Sequence, residues 1–118
     1  HSAQRAYIQA KAAFETAQAA AEADKPPWPV ERGQKLSDEQ MDERIAIEME
    51  IEDRHEVWQK MDAMIEARRE LFAWAKATTA REMAGHPQLD EALEVFDKAP
   101  KHPRILDKVI DASLRLRV

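Results

Sequence analysis

Apolar side chains return every three or four positions along most of the chain, which is the spacing of one face of an α-helix. The first such stretch covers residues 3–24, where Tyr7 and Phe14 are the two large residues of an apolar stripe that otherwise consists of alanines. Similar periods follow further along, separated by segments that are rich in proline or hold a glycine. The pattern predicts four helices, over residues 3–24, 38–84, 87–98 and 103–116.

Local signals mark the ends of these helices. The prolines between residues 25 and 37 cannot continue a helix and predict a loop. Ser37 and Gln40 form a capping-box sequence, which predicts that the long second helix begins just after Ser37. Gly85 is a natural helix end, and Pro103 suits the first position of the last helix.

One stretch of the second helix also allows a strand. Four large apolar residues alternate there with small or acidic ones: Ile45, Ile47, Met49 and Ile51. The cap upstream and the helical period downstream favour a helix. The fold predicted is therefore all-α: an elongated helical hairpin or bundle built on one long central helix, with an N-terminal helix and two short C-terminal helices. It is expected to form a single domain over residues 1–118.

The central helix carries apolar residues on two separate sides when successive residues are placed 100° apart. The main stripe contains Ile47, Ile51, Trp58, Met61, Ile65, Phe72 and Met83, and the second side contains Met41, Ile45, Met49 and Trp74. One layer of the remaining helices covers only one side. The second side therefore predicts a homo-oligomer, most simply a twofold dimer. In the alternative, the helix is bent or broken and one chain covers both sides.

Composition and charge narrow the classes of function. Two glycines and no cysteine exclude glycine-rich phosphate loops, disulfides and thiol chemistry. Residues 38–56 hold nine acidic and two basic residues, and no basic patch of similar size exists elsewhere, so nucleic-acid binding is not expected. No charge-free stretch is long enough for a membrane span, and the lack of cysteine suits a cytoplasmic protein.

Two features have both a structural and a functional interpretation. The acidic block over residues 38–56 is either a solvated helix face or a surface that binds a basic partner or mimics nucleic acid. Trp28, in the proline-rich loop, either packs against the helix ends or stands out as an anchor for a docking partner. The structural interpretation is the simpler one in both cases.

Few residues carry recognisable chemistry. Glu48, Glu52 and His55 share one face of the central helix, with the Glu-x-x-His spacing that di-metal bundle proteins use. A symmetric dimer would supply the second copy that such a metal site needs. The acidic residues over 48–56 also offer oxygen ligands for Mg²⁺. A solvated, salt-bridged face is the simpler account, so no cofactor is expected.

The sequence favours a non-enzymatic structural or protein-interaction module that self-associates through its long helix. A further protein partner is compatible with this prediction. The alternative is a metal-dependent helical-bundle enzyme, either di-metal or Mg²⁺-dependent and nucleotide-hydrolysing, that uses residues 48–56. No residue is assigned a catalytic role.

Overall fold

The computed structural model describes residues 1–117. Its elements are α1 (Ser2–Asp24), α2 (Asp38–Arg54), α3 (Val57–Glu82), α4 (Leu89–Lys98), a 3₁₀ turn (Ala99–Lys101) and α5 (Pro103–Arg115). No β-strand occurs in the part of the chain that the structure describes, so the all-α prediction is confirmed. None of the described helices is apolar over a length that would cross a lipid bilayer.

The span predicted as one long helix, residues 38–84, is divided into α2 and α3 by a turn at His55 and Glu56. Glu56 has a φ of 56°, in the left-handed region, so the right-handed helix cannot continue through it. The Glu56 N–H donates to the carbonyl of Asp53, and the Glu56 carbonyl accepts from the N–H of Lys60 as α3 begins. No glycine or proline marks this break.

Only part of the predicted main stripe is buried on the two sides of the turn. Ile51 near the end of α2 and Val57 at the start of α3 are both buried. Ile47 and Trp58, which the pattern of a continuous helix places on the main apolar stripe, are exposed. A 100° step per residue holds only within one unbroken helix, so the predicted stripe does not continue across the turn.

The described residues group into two compact units, and residues 10–63 form the first. Its buried core is small and contains Ala21, Ile51 and Val57, with Phe14 and Ala17 packed against it. At the start of α2 the Ser37 hydroxyl accepts from the Gln40 N–H, and the Gln40 side chain accepts from the Ser37 N–H. The predicted capping box is confirmed.

Residues 1–9 and 64–117 belong to the second unit. Its buried core contains Tyr7, Leu71, Phe72, Ala99, Val109 and Ile110. Gln4 Nε2 lies 2.8–3.1 Å from the carbonyl oxygens of Ser113, Leu114 and Leu116. These carbonyls lie at the end of α5, where no further N–H group of the helix can donate to them. The Gln4 amide donates to them instead. This unit therefore has the larger core and a capped last helix.

Candidate interaction surface

A row of exposed apolar side chains in the first unit lies along α2. Met41, Ile45 and Met49 follow one another at four-residue intervals and are 41%, 48% and 55% exposed. At 100° per residue they lie within about 80° of one another, along about 12 Å of the helix axis. We call these three residues the α2 flank. Three aligned large apolar side chains form a patch, whereas single exposed ones are ordinary.

Packing against the rest of its own chain gives the α2 helix little stabilisation. Of its seventeen residues, all of which the structure describes, only Ile51 is buried. Helices of this length are marginal in water without tertiary packing, because most of their stability comes from a buried apolar face. The capping box and the acidic residues of the first turn, Asp38 and Glu39, supply part of the missing stabilisation.

Acidic residues border the α2 flank. By helical position Asp38, Asp42 and Glu52 share its half of the helix. The basic residue Arg44 lies on another side, and its side chain is only 10% exposed. Glu52 is paired with Lys25, whereas Asp38 and Asp42 have no ion-pair partner among residues 1–117. The flank therefore combines an apolar centre with a border that carries two unpaired negative charges.

Arg44 fastens the proline-rich loop to α2. Its guanidinium donates to the carbonyls of Pro26 and Pro27, at 2.7 and 3.2 Å, and to Glu48 Oε1 at 2.9 Å. The same group lies 5.2 Å from the centre of the Trp28 ring, a cation–π distance. Trp28 nevertheless stays half exposed, so it neither plugs the helix ends nor stands free of the protein.

The three residues predicted as metal-ligand candidates each have a different partner. Glu48 pairs with Arg44, Glu52 pairs with Lys25, and His55 Nε2 lies 2.5 Å from a carboxylate oxygen of Asp24. Residues 1–117 contain no group of three or more histidine and carboxylate side chains placed to hold a metal ion. In this arrangement the candidates act as ion-pair and hydrogen-bond partners that hold the end of α2 against α1 and the loop.

The ammonium of Lys25 is the charged group with the clearest change in environment. It lies 3.1 Å from Glu22 and 3.2 Å from Glu52. The hydrogen bond to Glu22, followed by that to Glu52, raises the pKa of Lys25 above its ordinary value, although partial burial acts against the increase.

Trp74, the fourth residue of the predicted interface, is not on the same helix as the other three. It is on α3 in the second unit, where it is half-buried and packs against that unit's core. Its ring stacks on the His1 imidazole with centroids 4.5 Å apart. Because the turn at His55 and Glu56 separates α2 from α3, the helical spacing that aligns the α2 flank does not apply to Trp74.

The roles of Lys25 and Arg44 did not emerge from the sequence pattern. Arg44 is one of two basic residues within the acidic block, and that isolation was the available signal for a special contact. Its partners are backbone carbonyls of the loop, which side-chain patterns do not reveal. Lys25 directly follows α1, and its contact with Glu52 depends on the packing of α1 against α2.

No protein-family model, no curated protein and no solved structure matches this chain.

Proposed function

We propose that this chain is a cytoplasmic, non-enzymatic interaction module that self-associates through the α2 flank. The observation that supports the proposal is the exposure of Met41, Ile45 and Met49 in one row on a helix with a single buried residue. Taking a side chain of this size from full exposure to full burial contributes about 1.5–3 kcal/mol, and roughly half of that remains to be gained at these half-exposed positions. A second copy covering the flank would supply the packing that α2 lacks.

The simplest arrangement is a twofold pair of antiparallel α2 helices. In such a pair each patch meets the same patch of the other copy. Ile45 then lies at the centre against its equivalent, and Met41 packs against Met49 of the second copy. Each copy contributes three side chains, and the loss of rotational and translational freedom on association opposes this gain. The expected affinity is therefore micromolar.

The acidic border of the flank gives this association a characteristic salt dependence. In the twofold pair, the unpaired Asp38 and Asp42 of each copy approach the acidic α2 helix of the other. Like charges near a protein surface repel, and the range of this repulsion is about 10 Å at 0.1 M ionic strength and shortens as salt is added. Dimer formation is therefore expected to strengthen as salt is added.

A pair of charge substitutions tests the surface itself. Ile45→Lys with Met49→Lys places two charges in the centre of the flank, and Ile8→Lys is the matched control on α1. Ile8 is 54% exposed, as exposed as the flank residues, so its substitution costs no more folding free energy. Light scattering at micromolar concentration is expected to give a monomer for the double variant and an unchanged mass for the control.

Circular dichroism separates a loss of association from a loss of folding. The double variant is expected to keep most of its helix, since only exposed positions change. The proposal fails if the double variant keeps the association state of the unmodified chain. It also fails if Ile8→Lys lowers the mass to the same extent.

A further inference from the structure

The second unit contains a groove between one face of α3 and the junction of α4 with the 3₁₀ turn. Its volume is about 450 Å³, within the ~300–1,000 Å³ typical of small-molecule sites. Its lining is Ile65, Arg68, Arg69, Phe72, Ala73 and Lys76 on α3, with Phe96, Asp97 and Pro100 opposite. The α3 residues follow at intervals of three and four, so they form one continuous helical face.

The floor of the groove is apolar and aromatic. Phe72 is buried, and its ring meets that of Phe96 edge to face, with centroids 6.2 Å apart. Ile65 lies two turns before Phe72 on the α3 face, Ala73 directly follows Phe72, and Pro100 contributes the opposite wall. These two rings fix the floor, because Phe72 belongs to the buried core of the unit and Phe96 packs against that core.

Two of the three basic side chains that line the groove have an ion-pair partner, and the third has none among the described residues. Lys76 Nζ lies 3.0 Å from both carboxylate oxygens of Asp97, and Arg69 pairs with Glu66. Arg68 is half-buried and has no hydrogen-bond or ion-pair partner among residues 1–117. After pairing, one positive charge remains, and it lies at the Arg68 end of the groove.

We infer that this groove binds an amphipathic monoanion, a carboxylate carried by an apolar chain. The carboxylate accepts from the guanidinium of Arg68, whose paired N–H groups match its two oxygens. The apolar chain lies over Phe72 towards Pro100. A monoanion balances the single unpaired charge, whereas a phosphate dianion would leave negative charge over the apolar floor. The inference does not depend on the proposed self-association.

A series of probes with one chain and three head groups tests the site on the unmodified protein. Octanoate, 1-octanol and octylammonium share an eight-carbon chain and differ in charge. Amide shifts in two-dimensional NMR are expected to change around Phe72 and Phe96. Octanoate is expected to bind about tenfold more tightly than octanol, because it gains one charge-assisted hydrogen bond. Octylammonium is expected to bind most weakly of the three.

Two variants and a control assign the contacts. Arg68→Gln is expected to reduce octanoate affinity to that of octanol and leave octanol binding unchanged. Ala73→Leu fills the groove from an exposed helical position and is expected to abolish binding of both probes. Arg104→Gln, an exposed arginine on α5, is the matched control and should change neither affinity.

Three results would overturn the inference. The first is that octylammonium binds as tightly as octanoate, and the second is that Arg68→Gln keeps the preference for octanoate. The third is that the shifts map away from Phe72 and Phe96. The head-group series needs no substitution, so it decides the question even if a variant fails to fold.

Discussion

The Lys25 ammonium lies 3.2 Å from the Glu52 carboxylate, with both side chains largely shielded from solvent. Lys25 directly follows α1, and Glu52 is in the last turn of α2, so the pair joins the ends of two helices. The contact between His55 and Asp24 lies beside it. Two residues that the sequence offered as metal ligands, Glu52 and His55, thus hold α2 against α1.

The raised pKa of Lys25 predicts a loss of stability at alkaline pH. The folded protein holds the Lys25 proton more tightly than the unfolded chain, because Glu22 and Glu52 accept hydrogen bonds from it. The stabilisation is therefore complete below the ordinary lysine pKa of about 10.5 and is lost as pH rises through the raised value. Urea unfolding of the unmodified chain and of Lys25→Met, between about pH 8 and pH 12, measures the difference in free energy.

That difference is expected to stay constant at the lower pH values and to shrink at the top of the range. Glu22→Gln should weaken the pH dependence most, since the Glu22 contact is the largest cause of the raised pKa. A difference between the two proteins that stays constant up to about pH 12 would show that Lys25 gains nothing from its partners.

The left-handed backbone at Glu56 predicts a stabilising substitution. Left-handed backbone destabilises the folded state by about 1–2 kcal/mol at a residue with a Cβ, whereas glycine adopts it without strain. Glycine also raises the entropy of the unfolded chain, which offsets part of the gain. Glu56→Gly is therefore expected to raise the free energy of unfolding by about 0.5–1 kcal/mol, measured by urea unfolding.

Removing a negative charge from the acidic block could stabilise the protein without any backbone effect. Glu56→Gln, which keeps the Cβ and loses the charge, separates the two contributions. Its free energy of unfolding should stay clearly below that of Glu56→Gly. Equal values for the two variants would assign the gain to charge and contradict the backbone argument.

The contacts of Arg44 predict that Arg44→Lys releases the proline-rich loop. A single ammonium cannot reproduce the guanidinium's bonds to Pro26, Pro27 and Glu48. Loss of about 1–2 kcal/mol of local stability corresponds to roughly tenfold more frequent opening. Trypsin cleavage after Arg32 and Lys35 is expected to accelerate by that factor.

Arg54→Lys is the control for this experiment. Arg54 is also on α2 and pairs with an acid one turn away, but its side chain is 60% exposed and does not contact the loop. Its loop cleavage rate should match that of the unmodified chain. If both variants cleave alike, the Arg44 contacts do not hold the loop.

The helix ends could be predicted from the sequence because short-range chemistry fixes them. Ser37 and Gln40 cap α2, and Pro103 opens α5, each through contacts within a few residues. Gly85 has a φ of 81°, the conformation expected of a glycine after a helix. Such signals depend on little beyond the local backbone.

The break at Glu56 could not be predicted in the same way. Glutamate is a good helix former and gives no sign of left-handed backbone. The conformation is held by tertiary packing, which buries Ile51 and Val57 on the two sides of the turn. An unrecognised break shifts the phase of every later residue. A 100° step per residue therefore relates the flank residues to one another within α2 but does not relate them to Trp74, which is on α3.

Sedimentation equilibrium of the unmodified chain, at micromolar concentrations and at about 0.05 and 0.5 M salt, tests the central proposal most directly. Burial of the α2 flank between two copies predicts a mass that rises above the 13.5 kDa of one chain towards twice that value. The dimer fraction should be larger at the higher salt concentration. A mass of 13.5 kDa at every concentration and both salt levels, or a dimer that salt dissociates, would contradict the account.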